Sequence, residues 1–247
     1  MRIEEAGLNA LQTQRQLFFD GWLLRISPGK AKRARSVNPH FGSSLPLDMK
    51  IARCESVYTA NELPTLFRMT PFVHPPDLRS ALERRGYVCF DPTLVQVLPL
   101  DDLRNVEPRR DIELVAPSAN EFVEAIGELR ASSPTERAAH VERLACTPLP
   151  MHAILARIAG RTVACGQASI DDRVAGIYDM MTAGDCCGRG IATTIVGALL
   201  KWAQDRGATH AFLQVNADNA PALRVYRRFG FVTTYTYDYL GRPGECR

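Results

Sequence analysis

The chain of 247 residues has no run of about 20 apolar residues, so no segment reads as a helical membrane span. No secretory signal is expected, since Glu4 and Glu5 stand where a positive region belongs and no apolar run of signal length follows. Its seven cysteines are odd in number and scattered, unlike a disulfide framework. No Cys/His set has zinc spacing, Cys186 and Cys187 being adjacent without a partner pair, so no metal is expected. A formal charge of +3 is too small a surplus to indicate nucleic acid. These absences leave a cytoplasmic protein with reduced thiols as the expectation.

What is present is ordinary globular material. A hydrophobic content of 46% in this length supports one large domain or two small ones. The second half reads clearly. A strand is expected over Asp111–Val115, helices over Ser118–Ala131 and Pro134–Cys146, and a hairpin of Met151–Ala159 with Arg161–Ile170. A strand over Val174–Thr182 follows, then a helix over Ile191–Arg206 stopped by Gly207, a strand over Thr209–Val215, a helix over Asn219–Phe229 capped by Asn219, and a last strand over Phe231–Leu240. Short turns make the central strands antiparallel, and the Ile191 helix crosses to a strand parallel to Val174–Thr182. The expected fold is a mixed, mostly antiparallel α/β sheet flanked by helices.

The first half gives strands over Gly21–Ile26 and Arg33–Asn38, a helix over Asp48–Ala60, a strand over Thr65–Met69, a helix over Asp77–Arg85 and a strand over Tyr87–Leu98. "LERRGYVCFDPTLVQVLPL" (82–100) and "VYRRFGFVTTYTYDYL" (225–240) both run from a helix end with two arginines, through glycine, into a long strand. The order of elements recurs as well. We read an internal duplication, joined near Leu103–Arg110, with domains at 1–105 and 110–247.

Gly188-Arg189-Gly190 opens the Ile191 helix, and glycines at a helix start let backbone N–H groups approach an anion. A nucleotide P-loop needs Gly-Lys-Ser/Thr, and no Lys follows Gly190. A dinucleotide fingerprint needs a third glycine where Thr193 stands, and an acidic residue where the next strand leads to Asn216. The remaining pattern, Cys187-Gly188-Arg189-Gly190-Ile191-Ala192, resembles the Gln/Arg-x-x-Gly-x-Gly/Ala turn of the GNAT acetyltransferases. "LQVNADNAPALRVYRRFGF" (213–231) is similar to that family's second half-motif, through Asn219, Ala222 and Tyr226. The element order over 111–240 matches too.

The resemblance implies an N-acetyltransferase that uses acetyl-CoA as cosubstrate. The amides of Gly188 to Thr193, including Arg189, would surround the pyrophosphate, with Cys187 replacing the usual Gln or Arg and read as a small buried thiol. Met180, Met181 and Thr182 would pair their backbone with the pantetheine arm, one of their N–H groups serving the oxyanion. Tyr226, with Asn219 in register, would donate to the leaving thiolate; otherwise it belongs to the apolar stripe of Ala222, Val225 and Phe229. The family's usual basic carboxylate is absent, Gln214 standing nearest. Asp179 is the best remaining carboxylate: it holds the incoming ammonium, relays its proton through water, or is a satisfied half-buried strand residue. His40, His74, His140, His152 and His210 stand isolated in sequence, none at ligand or catalytic spacing.

The first half has "PHFGSSLPL" (39–47) where a glycine turn would fall, so it is expected to be a degenerate GNAT-like half that binds no coenzyme A and walls the substrate cleft. Acceptor contacts are expected from Ser118–Cys146 and from parts of 39–47 and 70–77. The expected partner is a small-molecule amine or amino-acid-like acceptor, with no nucleic acid and no membrane; a homodimer is left open. A coenzyme A-binding regulatory module without turnover is the alternative reading.

Overall fold

The computed structural model describes residues 2–42 and 44–245, and its core is one mixed sheet of eleven strands. The first half contributes α1 (Arg2–Asn9), β1 (Gln16–Phe19), β2 (Trp22–Arg25), β3 (Val37–Asn38), α2 (Leu47–Thr59), β4 (Phe67–Met69), α3 (Leu78–Arg84) and β5 (Val88–Pro99). The second contributes β6 (Glu113–Val115), α4 (Ala119–Leu129), α5 (Pro134–Cys146), β7 (Met151–Ile158), β8 (Arg161–Asp171), β9 (Val174–Thr182), α6 (Ile191–Asp205), β10 (His210–Asn216), α7 (Ala220–Phe229) and β11 (Val232–Gly241).

Local chemistry sets the helix ends. Ser118 with Glu121, and Ser133 with Glu136, form reciprocal capping boxes on α4 and α5; each such cap is worth about 1 kcal/mol. Asn219 caps α7 by accepting from the Ala222 amide at 3.1 Å, and Gly230, at φ 102°, stops it. Helix α6 buries Ile191, Ile195, Val196, Leu199, Leu200 and Ala203 against the second-half sheet. A separate first-half core surrounds Trp22, Phe67 and Tyr87, with Phe67 meeting both neighbouring rings edge-on.

The duplication is visible in the pairing. In each half an antiparallel pair (β2–β3, β8–β9) leads through a helix (α2, α6) to a strand parallel to the second member (β4, β10). The last strands are exchanged. The sheet runs β1-β2-β3-β4-β11-β5-β10-β9-β8-β7-β6, so β4 of the first half pairs with β11 of the second, and β10 of the second pairs with β5 of the first. β5 and β11 lie side by side, antiparallel, at the centre.

Three elements differ from the sequence expectation. The expected strand Arg33–Asn38 is a 3-10 turn over Lys32–Ala34 followed by a two-residue strand. Strand β1 pairs with β2 as an outer hairpin that alternation did not reveal. Helix α1 was also unforeseen; its Glu4 is buried in an ion pair with Arg68 and a hydrogen bond from Tyr235, contacts made by β4 and β11.

The first half closes its own helix entrance. The amides of Ser44 and Leu45, just before α2, donate to the Asp20 carboxylate at 3.0 Å each, and the Ser44 hydroxyl adds a bond of 2.9 Å. These bonds, those from the amides first, push the Asp20 carboxyl far below the usual carboxylate range. An internal anion thus holds the amides that stand in the place of the second half's glycine turn.

Candidate active site

Strands β9 and β10 diverge. Their parallel pairing ends at Leu213 opposite Ile177, after which Gln214–Asn216 pair only with β5. On its other side β9 carries a bulge: Gln167 faces Tyr178 and Cys165 faces Met181, so Asp179 and Met180 share one opposing position. Asp179 adopts φ 52°, a left-handed conformation that Asp tolerates better than most residues. Beyond the bulge, Met181 and Thr182 pair with β8, and among the described residues no β10 pairing meets the second edge of Met180–Thr182.

The divergence opens a cleft of about 380 Å³. Asp179 lies in its wall and receives three donors: Arg130 Nη1 at 2.9 Å, Gln167 Nε2 at 2.6 Å and His140 Nε2 at 3.1 Å. Burial alone would raise its carboxyl, but the Arg130 charge and the His140 bond hold it well below the usual carboxylate range. Such a carboxylate is a poor proton acceptor at neutral pH and a good anchor. His140, on α5, is therefore not isolated: it lines the cleft with its ring fixed by an acid. Gln214 also lines the cleft and accepts from the Tyr237 hydroxyl at 2.9 Å.

From the first half the cleft is lined by residues 30–33, Asp91 and Thr93, and not by 39–47 or 70–77. Lys30 binds the Arg130 carbonyl at 3.1 Å and Glu136 at 3.5 Å. Gly29 permits the approach, since a Cβ there would sit 2.6 Å from Arg143 Nη1 and 3.3 Å from Ala139 Cβ.

Past Thr182, β9 leads to the glycine turn. Gly188 and Gly190 have φ of 75° and 78°, where a side chain would strain the backbone. Thr194 is the first amide to bond back into the helix, to the Gly190 carbonyl at 3.2 Å, so the amides of Ile191, Ala192 and Thr193 lack intrahelical partners. A Cβ on Gly188 would meet nothing within 4 Å, so open space faces the turn. Arg109 braces it, its amide bonding Thr194 Oγ1 at 3.1 Å and its Nη1 the Arg189 carbonyl at 2.5 Å. This geometry suits an extended anion. Cys187 departs from expectation: it is exposed, and Cys186 is the buried thiol.

Tyr226 lies outside the cleft wall, buried in the second-half core and edge-on to Phe231 at 6.0 Å. Burial pushes its phenol up to about 12. The Asn219 side chain is engaged in capping α7. The predicted residues thus fall along one track, from Asp179 through the open edge of β9 to the glycine turn, with α7 beside it. His140, Arg130 and Gln167 were missed, because each reaches Asp179 from a different element.

Known proteins share this architecture. A GCN5-related N-acetyltransferase from Kribbella flavida superposes with a TM-score of 0.75 at 20% identity, covering 98% of this chain and 95% of that one. A tandem GNAT protein from the clavulanic acid biosynthesis pathway superposes with a TM-score of 0.62 at 14% identity, over 78% and 68%; at such identities the likeness is one of fold. An uncharacterized N-acetyltransferase, YobR of Bacillus subtilis, is 25% identical over 223 residues, 88% of each chain. The family described as "Probable histone acetyltransferase Rv0428c C-terminal" matches residues 1–240. With a match across nearly its whole length, the chain belongs to that family and is a GNAT-type N-acetyltransferase with a tandem arrangement.

Proposed function

We propose that the chain transfers the acetyl group of acetyl-CoA to a primary amine held in the cleft between β9 and β10. The observation that carries this reading is the open track along β9, from the fixed His140–Asp179 pair to the unpaired amides at Gly188–Thr193. When bound, acetyl-CoA supplies an activated carbonyl and a thiol leaving group. The amides of Gly188, Arg189, Gly190, Ile191, Ala192 and Thr193 would hold the pyrophosphate, while the Cys187 amide is engaged with the Gly184 carbonyl at 3.3 Å. The free edge of Met180–Thr182 would take the pantetheine arm as an added strand and offer a backbone N–H to the thioester carbonyl.

The acceptor arrives as an ammonium and must lose a proton before attack. His140 takes that proton, its ring held in place by Asp179. Asp179 orients and Gln214 lines the pocket; neither takes the proton. Tyr226 keeps its own proton at neutral pH and supports the thiolate as a hydrogen-bond donor. Since a free thiol sits near ~8.5, full transfer from this phenol is uphill. Asn219 orients α7. The first half, residues 1–105, serves as the cleft wall, which the Asp20 closure of its helix entrance supports.

The test is a thiol-release assay over a panel of small amines, with N-acetyl product identified by mass spectrometry. Turnover that falls roughly tenfold to a hundredfold in Tyr226→Phe, with acetyl-CoA affinity unchanged, supports the reading. Tight coenzyme binding without turnover on any amine would favour the regulatory alternative.

A further inference from the structure

We propose that the cleft selects amines carrying a carboxylate a few atoms from the nitrogen, through Arg33 and Arg143; the proposal rests on the acetyl-transfer reading and names its acceptor. Five cationic and three acidic side chains line the cleft. Three of the cations are matched: Lys30 with Glu136 at 3.5 Å, Lys32 with Asp91 at 3.1 Å, and Arg130 with Asp179 at 2.9 Å. Arg33 and Arg143 remain. Among the described residues Arg33 Nη1 is buried with no hydrogen-bond acceptor, and the guanidinium has only the Tyr178 ring, 5.5 Å away. Arg143 is 8% exposed, and among the described residues its one bond goes to the Ala139 carbonyl of its own helix, at 3.1 Å.

Burying guanidinium groups without a directly paired acid is unfavourable, and here they add to each other's field. Burial, with Arg130 and Arg33 nearby, lowers the Arg143 guanidinium from its ordinary value, although Asp179 and Glu142 oppose this. An anion entering with the substrate relieves both. The planar fork of arginine matches a carboxylate in particular. Position fixes the spacing: His140 and Arg143 are three residues apart on α5 and both buried, so their side chains leave the helix as neighbours about 5–6 Å apart at Cβ. A group that takes a proton from the amine thus stands beside a group that grips an anion. The acceptor that fits both is an α-amino acid or a similarly short amino carboxylate, of a size that a cleft of about 380 Å³ admits.

The first readout is binding, which needs no turnover. Proteinogenic L-amino acids are screened against the full chain by ligand-observed NMR, each beside its carboxamide and its decarboxylated amine. Binding by at least one amino acid, about tenfold weaker for its carboxamide and decarboxylated partner, and weakened about tenfold in both Arg143→Gln and Arg33→Gln, is the expected result. Two sites are varied so that misfolding of one variant, checked by thermal unfolding, does not decide the matter. In turnover the same variants should raise KM for the amino acid about tenfold and leave weak activity on the decarboxylated amine unchanged. Equal binding of amino acid and carboxamide, or no amino-acid binding at all, overturns the proposal. A separate acetyl-CoA titration distinguishes the failures: lost coenzyme binding with intact carboxylate discrimination refutes the acetyl-transfer reading alone.

Discussion

His140 Nε2 lies 3.1 Å from Asp179 Oδ2, joining α5 to the bulge of β9. The bulge turns Asp179 into the cleft, and Arg130 and Gln167 hold it there. The pair thus consists of a fixed acid and a ring anchored through one of its nitrogens. His140→Gln should lower kcat at least a hundredfold, as removal of a general base does, with acetyl-CoA affinity unchanged by calorimetry. Asp179→Asn should lower kcat as well, while Asp179→Ala also strands Arg130 and costs about 1–3 kcal/mol of stability. Full activity in His140→Gln would remove it from the chemistry.

The exchange of β5 and β11 makes a second prediction. Each half lends its last strand to the other, so a segment of residues 110–245 lacks the strand that separates β10 from β11. Expressed alone, it should show no cooperative thermal unfolding, because two sheet edges are left unpaired. Co-expression with residues 2–105 should restore the transition. A cooperative fold of the isolated second half would contradict the exchange.

A third concerns pH. His40 is 7% exposed, and neither ring nitrogen has a partner among the described residues. Burial first, then the Arg68 charge, takes it down to about 4, with Glu4 opposing. Above an unfolded value near 6.5 both states are neutral and His40 contributes no pH dependence. As pH falls from about 6.5 toward 4, the unfolded state takes up the proton first and stability is lost, by roughly 3 kcal/mol in total. Urea unfolding between pH 7 and 4 should show this slope in wild type and a flatter one in His40→Gln; parallel profiles would exclude His40 as its source.

Much of the second half was legible because its signals are local. Strand β9 matches its sequence reading residue for residue, and Ser118, Ser133, Asn219 and Gly230 mark helix ends by their own chemistry. Helix α1 was not legible, since its stability comes from a buried contact of Glu4 with Arg68 and Tyr235. Nor was the strand exchange. The same repetition that betrayed the duplication, "RRGYV" and "RRFGFV", made the two strands equivalent candidates for either half. The candidate site divided likewise. Its glycine turn is a contiguous motif, but the His140–Asp179 pair joins distant elements, and a 3-10 turn decided which of Cys186 and Cys187 faces solvent.

The most direct test of the central claim is calorimetric titration of acetyl-CoA into wild type, Gly188→Asp and Gly188→Asn. Both substitutions bear the same left-handed backbone, which Asp and Asn tolerate alike, and both project into open space. Only Asp puts a negative charge where the pyrophosphate is to sit. Micromolar binding to wild type, weakened modestly by Asn and at least tenfold more by Asp, is the result predicted. Equal affinity in all three proteins would place the coenzyme elsewhere and contradict the account.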